Sequence, residues 1–296
     1  MTQGRNALVT GCSTGIGRAV ALDLLGQGWR VFATLRKQAD ADSLLEAARD
    51  ARIANQDLHT LLLDVTDAES VQEAAKTMAE QLDGEALHGV VHNAGVANIG
   101  PLEVMPLDFF RHQLDVNLTG VLCVTQAVLP LMRQGEAPAG SRRIVMISSI
   151  NGQVGTPLGG AYCASKFGLE GMSDVLRCEL LPQGIDVVVI EPGAIATAIW
   201  ETSKQRAEAL LPDFDGHPAM PHYRGFLDAI MQKVMRIQSQ AIDAVNVAVV
   251  VRRALNSKRP AVRSRVGKDA KLGYFLKRWL PTRWFDKLIV QDMLKR

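Results

Sequence analysis

From Arg5 onward, short β-branched and aliphatic runs alternate with longer stretches in which apolar residues recur at helical spacing. That alternation is the pattern of parallel strands joined by crossover helices. Strands are predicted at Ala7–Thr10, Val31–Thr34, Leu58–Asp64, Leu87–His92, Arg143–Ser148 and Val187–Glu191. Helices are predicted at Gly15–Leu25, Ala41–Ala54, Ala68–Leu82, Leu107–Arg133 and Ala161–Leu181, with Asp67 placed to cap the third. The expected fold class is α/β, a doubly wound parallel sheet.

The regularity ends near Trp200, where Pro212, Gly216, Pro218, Pro221 and Gly225 punctuate two polar helical stretches. Such punctuation predicts a helical lid over about 198–240. A helix from about Ala241 to Leu255 and a short strand near Ala261–Arg265 follow, which gives a catalytic domain of 1–266 and a basic, aromatic tail of 267–296.

With 296 residues, 47% of them hydrophobic, the chain can bury one full core. The net charge of +2 gives no general argument for nucleic acid, but it is unevenly spread. Arg252–Arg296 carries 14 Lys/Arg against 3 Asp/Glu, net +11, which leaves −9 on the residues before it. The four cysteines, Cys12, Cys123, Cys163 and Cys178, have neither disulfide-framework nor metal-ligand spacing, and no metal site is expected. No charged segment leads into an apolar one at the N-terminus, and apolar runs such as Val245–Val251 fall short of the roughly eighteen residues of a membrane span. A cytoplasmic protein is the expectation.

The first strand runs into Thr10-Gly11-Cys12-Ser13-Thr14-Gly15-Ile16-Gly17 at the head of a helix. Glycines there admit a pyrophosphate to the backbone, and the helix N-terminus offers free N–H groups and partial positive charge. After the second strand, Leu35 and Arg36 occupy the place where an acidic residue would accept from an NAD ribose and a basic one would favour a 2′-phosphate, so NADP(H) is expected. Tyr162 and Lys166, four residues apart, share one helix face. At about 4–5 Å and an effective dielectric of about 20, an ammonium attracts a phenolate by roughly 3–4 kcal/mol, partly offset by desolvation, so that the phenol could act as acid or base near pH 7–8. Ser149, directly after an apolar strand, is placed to bind a substrate oxygen.

The Thr-Gly-x-x-x-Gly-Ile-Gly turn, Ser149 and Tyr162-Cys163-Ala164-Ser165-Lys166 together resemble the short-chain dehydrogenase/reductase family over roughly Arg5–Arg265. The resemblance implies a Rossmann-type fold and hydride transfer between nicotinamide and a substrate carbon, with Tyr162 moving the proton, Lys166 tuning it and Ser149 holding the oxygen. It implies that Gly11, Ser13, Gly15, Ile16, Gly17 and Arg36 bind cofactor, that Asp64-Val65 covers adenine, and that Asn93 and Gly95 of His92-Asn93-Ala94-Gly95 support the site. Relatives more often read Asn where His92 stands. Asn117 is implied to hold a proton-relay water. Pro192, Gly193, Ile195 and Thr197, in Glu191-Pro192-Gly193-Ala194-Ile195-Ala196-Thr197, are implied to flank nicotinamide. A homodimer or homotetramer is implied, paired through the long helices after strands four and five.

Gly11-Cys12-Ser13, Ala33-Thr34-Leu35-Arg36 and the segment around Tyr162 look like the branch containing 17β-hydroxysteroid and retinol dehydrogenases. That implies a bulky, apolar alcohol or ketone, which lid residues Trp200, Leu210, Leu211, Phe214, Met220, Tyr223 and Phe226 have the surface to cover. His217 and His222 are expected to be solvated and Cys163 to be a packing residue. The tail, with Tyr274, Phe275, Trp279, Trp284 and Phe285 among lysines and arginines, suits either an anionic membrane surface or the acidic body of the same or a neighbouring subunit. Two readings without turnover are kept: a cofactor-sensing protein, which a broken Tyr/Lys/Ser set would mark, and a membrane-surface scaffold that binds lipid independently of NADP(H).

Overall fold

The computed structural model describes residues 5–53, 57–135, 140–199, 201–203, 205–206 and 216–294, and for 231–240 the backbone alone. In chain order the first half comprises β1 (Arg5–Val9), α1 (Gly15–Gly26), β2 (Trp29–Leu35), α2 (Gln38–Asp50), β3 (Leu58–Leu62), α3 (Ala68–Leu82), β4 (Leu87–His92), α4 (Leu107–Leu114) and α5 (Gly120–Arg133). The second half comprises β5 (Arg142–Ile147), α6 (Gly160–Leu180), β6 (Ile185–Pro192), β7 (Ile195–Ala196), α7 (Met220–Gln240), β8 (Ile242–Asp243), α8 (Ala244–Asn256), β9 (Arg263–Val266), α9 (Lys268–Trp279) and α10 (Thr282–Leu294).

Seven strands form one parallel sheet in the order β3-β2-β1-β4-β5-β6-β9. Both faces are buried, so each strand is apolar at nearly every position and its alternate residues serve different cores. In β1, Ala7 and Val9 join α1, α2 and α8 on one face, while Leu8 joins α3, α5 and α6 on the other. The chain leaves β1 for β2 on one side and reaches β4 on the other, which opens a crevice at the carboxyl ends of these strands. Asp67 caps α3 as expected, accepting from the amides of Glu69 and Ser70.

The predicted helix over Leu107–Arg133 is continuous but not uniform: residues Asp115–Thr119 form a π-helical turn between α4 and α5. This run is long and apolar enough to cross a membrane by composition, but Val121, Val124, Val128, Leu131 and Met132 lie in the core. The predicted helix from Ala241 starts at Ala244, capped by Asp243, because Ile242 and Asp243 pair with Ile195 and Ala196 as a small second sheet.

Charges tie β9 to its neighbours. Arg263 binds Glu170 at 2.9 Å and Asp174 at 2.7 Å, and Arg265 meets the buried Glu191 at 2.8 Å while stacking 3.3 Å over the Tyr274 ring. The inner face of the tail therefore rests on the body, with Ala270, Phe285 and Met293 buried. Its outer face leaves Leu272, Phe275, Trp279 and Trp284 in solvent.

Candidate active site

At the end of β1 the chain turns through Gly11 (φ +71°) and Gly15 (φ +58°), in the left-handed region that favours glycine. A Cβ on Gly17 would lie 2.3 Å from the Gly11 carbonyl oxygen, and one on Gly11 would lie 2.8 Å from Ala94 Cα. Asn93 braces this turn: its Nδ2 donates to the carbonyls of Thr10 and Gly11, each at 3.0 Å. The amides of Asn93 and Ala94 both donate to Thr10 Oγ1 at 3.0 Å. Thr14 heads α1 without a side-chain cap and no acid lies in its first turn, so N–H groups there remain open to an anion.

A cavity of about 560 Å³ lies at the carboxyl ends of the strands. Of the catalytic and cofactor-binding residues expected from sequence, all but Gly17 and Asn117 line it. Gly17 packs behind the turn and Asn117 behind Val96. Arg36 lines the cavity at the end of β2. Burial pushes the Asp64 carboxyl up, but two hydrogen bonds from Thr66 and the positive charges of Arg36 and His112 outweigh it and hold Asp64 below its ordinary value. The glycine cradle, the open helix terminus and the cation beyond β2 fit a dinucleotide.

Ser149 follows β5, its Oγ accepting from the amide of Asn151 at 3.1 Å, and the Tyr162 hydroxyl is hydrogen-bonded to it from the first turn of α6. One turn on, Lys166 Nζ donates to the Ile147 carbonyl at 2.8 Å and lies 5.8 Å from the Tyr162 ring centroid. Here the structure differs from the sequence expectation. Burial pushes the Tyr162 phenol up to about 12, although Ser149 pulls the other way. Burial also draws the Lys166 amine down to about 8, against the pull of Glu170. Desolvation is the largest influence on both groups, and the Lys166 amine is directed at a carbonyl rather than at the phenol. At neutral pH Tyr162 is a protonated phenol beside the Ser149 hydroxyl, an arrangement able to hold a carbonyl oxygen and give it a proton.

Asn117 sits in the π-helical turn, 1% exposed. Its Oδ1 accepts from the Val96 amide at 2.9 Å, and its Nδ2 donates to the Val96 carbonyl and to Ser165 Oγ, each at 3.0 Å. Both amide protons are thereby taken by protein partners, so the side chain braces the loop after β4 against α6. His92 is buried, with its Nε2 2.9 Å from Thr125 Oγ1. That hydroxyl already donates to the Val121 carbonyl at 2.7 Å, so Nε2 carries the ring proton.

Several residues that sequence motifs do not mark also line the cavity: Thr202, Ser203, Arg206, Ile230, Asp269 and Met293. Asp269 accepts from the Ala194 amide at 2.7 Å, and its local signal is slight, an acid two residues after a glycine. Trp200, Leu210, Leu211 and Phe214 lie outside the described residues. Met220, Tyr223 and Phe226 do not line the cavity; Met220 packs with Val104, Phe109 and Leu227, and the Tyr223 hydroxyl donates to Glu103. His217 and His222 are exposed and Cys163 is buried, as expected.

A family model for short chain dehydrogenases matches residues 5–208. The chain is 36% identical to human retinol dehydrogenase 5, over 97% of this chain and 86% of that protein. It is 31% identical to an NADPH-dependent 3-dehydrocapnine reductase of Ornithobacterium rhinotracheale, over 98% of each. A solved short-chain dehydrogenase from Streptomyces avermitilis superposes with a TM-score of 0.75 at 26% identity, covering 99% of this chain and 97% of that one. Glycine turn, seven-stranded sheet and Ser149/Tyr162/Lys166 cluster thus agree with the matches along the sequence, and the chain belongs to the short-chain dehydrogenase/reductase family, in its retinol dehydrogenase-like branch.

Proposed function

We propose that this oxidoreductase interconverts a bulky, apolar alcohol and its carbonyl with NADP(H). The observation that carries the reading is that Ser149, Tyr162 and Lys166 face the same cavity as the glycine turn and Arg36. When bound, the nicotinamide supplies or receives the hydride. In the reducing direction Ser149 and Tyr162 hold the substrate oxygen, and Tyr162, protonated at neutral pH, donates its proton as negative charge develops there. Lys166 would donate to ribose hydroxyls, and Asn117 holds the loop after β4 against the helix that carries Tyr162 and Lys166. Gly11, Ser13, Gly15, Ile16 and Gly17 would cradle the pyrophosphate. Asp64 and Val65 would cover adenine, with Asn93 and Gly95 beneath the cofactor. Pro192, Gly193, Ile195 and Thr197 would flank nicotinamide.

The preference for NADP(H) rests on Arg36 at the cavity wall with Leu35, not an acid, before it, and the NADPH-dependent relative supports it. Oxidation of NADPH and NADH should be followed against steroid, retinoid, aliphatic and quinone carbonyls, with Tyr162→Phe as control. Turnover with NADPH that collapses in Tyr162→Phe is expected. Tight NADPH binding without turnover on any of them would favour a cofactor-sensing protein.

Two finer readings belong to the surface. The exposed Phe167, Val175 and Leu181 along α6 and its end, with Leu122 on α5, favour a homodimer or homotetramer paired through these helices. On the tail, Leu272, Phe275 and Trp279 recur along one face of α9, Trp279 and Trp284 are 72% and 70% exposed, and Lys271, Arg278 and Arg283 flank them. This face suits peripheral contact of a cytoplasmic protein with an anionic membrane. Flotation with phosphatidylserine-containing vesicles should carry the intact protein upward and leave a Trp279→Ser/Trp284→Ser variant behind.

A further inference from the structure

The segment after β6 is held from an unexpected quarter. The Gly193 amide donates to the Val266 carbonyl at 2.8 Å, and the next amide, Ala194, donates to the carboxylate of Asp269 at 2.7 Å. Asp269 stands in the first turn of α9, where the positive end of the helix also favours its charge. Space for the carboxylate exists because two glycines face it. A Cβ on Gly193 would lie 2.2 Å from both of its oxygens, and one on Gly267, at φ +111°, would lie 2.4 Å from one. Helix α9 is itself fixed by the buried Ala270 and by the Arg265 guanidinium stacked on Tyr274. Asp269 and Gly193, Ala194, Ile195 and Thr197 line the same cavity.

From this geometry we propose that Asp269 is a positioning residue, a latch by which the C-terminal tail fixes the turn facing the nicotinamide half of the cofactor. The inference rests on the cofactor reading above. An unlatched turn would expose the Ala194 amide at the cavity wall and free the backbone on which Ile195 and Thr197 are mounted. Because the carboxylate joins two elements, tail docking and nicotinamide binding are thermodynamically linked. Whatever loosens α9 weakens the dinucleotide, and the bound dinucleotide protects α9 by the same factor.

The test compares Asp269→Leu, which removes the acceptor, with Asp269→Asn, which keeps one. Affinities for NADPH and for its adenosine 2′,5′-bisphosphate half are measured on the full chain, and hydrogen exchange is followed at the Ala194 amide. A charge-assisted hydrogen bond lost in Asp269→Leu should weaken NADPH by about tenfold or more. The bisphosphate, which does not reach the turn, should change by less than about twofold. Asp269→Asn should lose less NADPH affinity than Asp269→Leu, and exchange at Ala194 should rise in the order wild type, Asn, Leu. Unchanged NADPH affinity in Asp269→Leu would overturn the proposal. Equal loss of both ligands would also overturn it, because it would mark a general structural role. A wild-type protein that binds neither ligand would sink the cofactor reading instead, and exchange at Ala194 would then decide the latch alone: faster in Asp269→Leu supports it, unchanged overturns it.

Discussion

Asn117 in the π-helical turn and Ser165 in α6 are joined by a buried 3.0 Å hydrogen bond, and the Ser165 hydroxyl donates a hydrogen bond to the Tyr162 backbone carbonyl at 2.7 Å. The loop after β4, the π turn and the first turn of α6 are thereby linked through Val96, Asn117, Ser165 and Tyr162. Asn117→Ala strands the buried Val96 amide, while the Val96 carbonyl keeps the hydrogen bond it accepts from Gln113 Nε2 at 2.6 Å, so a stability loss of about 1–3 kcal/mol is expected. The same change should lower kcat at least tenfold, about 1.4 kcal/mol in the barrier, because it also frees the helix that positions Tyr162. Ser165→Ala keeps the bonds between Asn117 and Val96 and should cost less on both counts. Urea unfolding and steady-state kinetics on the two variants test this ordering; equal effects would dissolve the link.

The Lys166 amine, drawn down to about 8 by burial, titrates in a useful range. A lowered amine pKa means the ammonium is present below that value and lost above it. Binding that uses the ammonium as donor to the ribose therefore falls as pH rises through about 8. Tyr162, up at about 12, stays protonated across this range and does not supply the inflection. The pH profile of kcat/KM for carbonyl reduction should thus bend downward near 8 in the unliganded enzyme's terms. An inflection that stays in place in Lys166→Arg, whose charge persists, would assign it to another group.

The sheet was legible because burial on both faces leaves an apolar signature: Val31, Phe32 and Ala33 mark the strand expected at Val31–Thr34, and they lie within β2. The glycine turn was legible for a local steric reason, since positions 11, 15 and 17 either take positive φ or touch backbone. What sequence could not supply was relationship across the chain. Asp269 meets Ala194 from 75 residues away, and no periodicity or spacing encodes that meeting. The balance at Tyr162 is hidden from sequence for a related reason: the spacing to Lys166 gives one partner, whereas the extent of the burial that governs both groups comes from every element packed around them. The π turn at Asn117 was invisible too, because one extra residue in a helical turn does not disturb an apolar pattern.

Arg36 is expected to set cofactor choice. Replacing a guanidinium that pairs with a 2′-phosphate removes a charge-assisted interaction worth about 1.5–3 kcal/mol. Arg36→Leu should therefore lower kcat/KM for NADPH by roughly ten- to a hundredfold and leave NADH nearly unaffected. Adding Leu35→Asp should raise NADH use, because a carboxylate there accepts from ribose hydroxyls and repels the phosphate. Paired NADPH and NADH kinetics decide the point, and a parallel loss of both cofactors would place Arg36 outside the 2′-phosphate site.

His92 makes the stability of the fold depend on acid. Burial draws its imidazole from 6.5 to about 3, and its Nε2–H is already committed to Thr125. With the folded value depressed, the unfolded chain binds the proton first as pH falls. This contribution to stability is therefore whole above 6.5 and is lost progressively from there down to about 3. Within that window one extra proton in the unfolded state costs about 1.4 kcal/mol per pH unit. His92→Asn removes the titrating group while keeping a donor toward Thr125 in a smaller side chain. At neutral pH it should lose about 1 kcal/mol from imperfect packing and a longer hydrogen bond. In acid its stability should decline less steeply than that of the wild type, so the two curves converge and then cross. Urea titrations at successive pH values measure both slopes, and parallel curves across the window would show that His92 becomes protonated without unfolding.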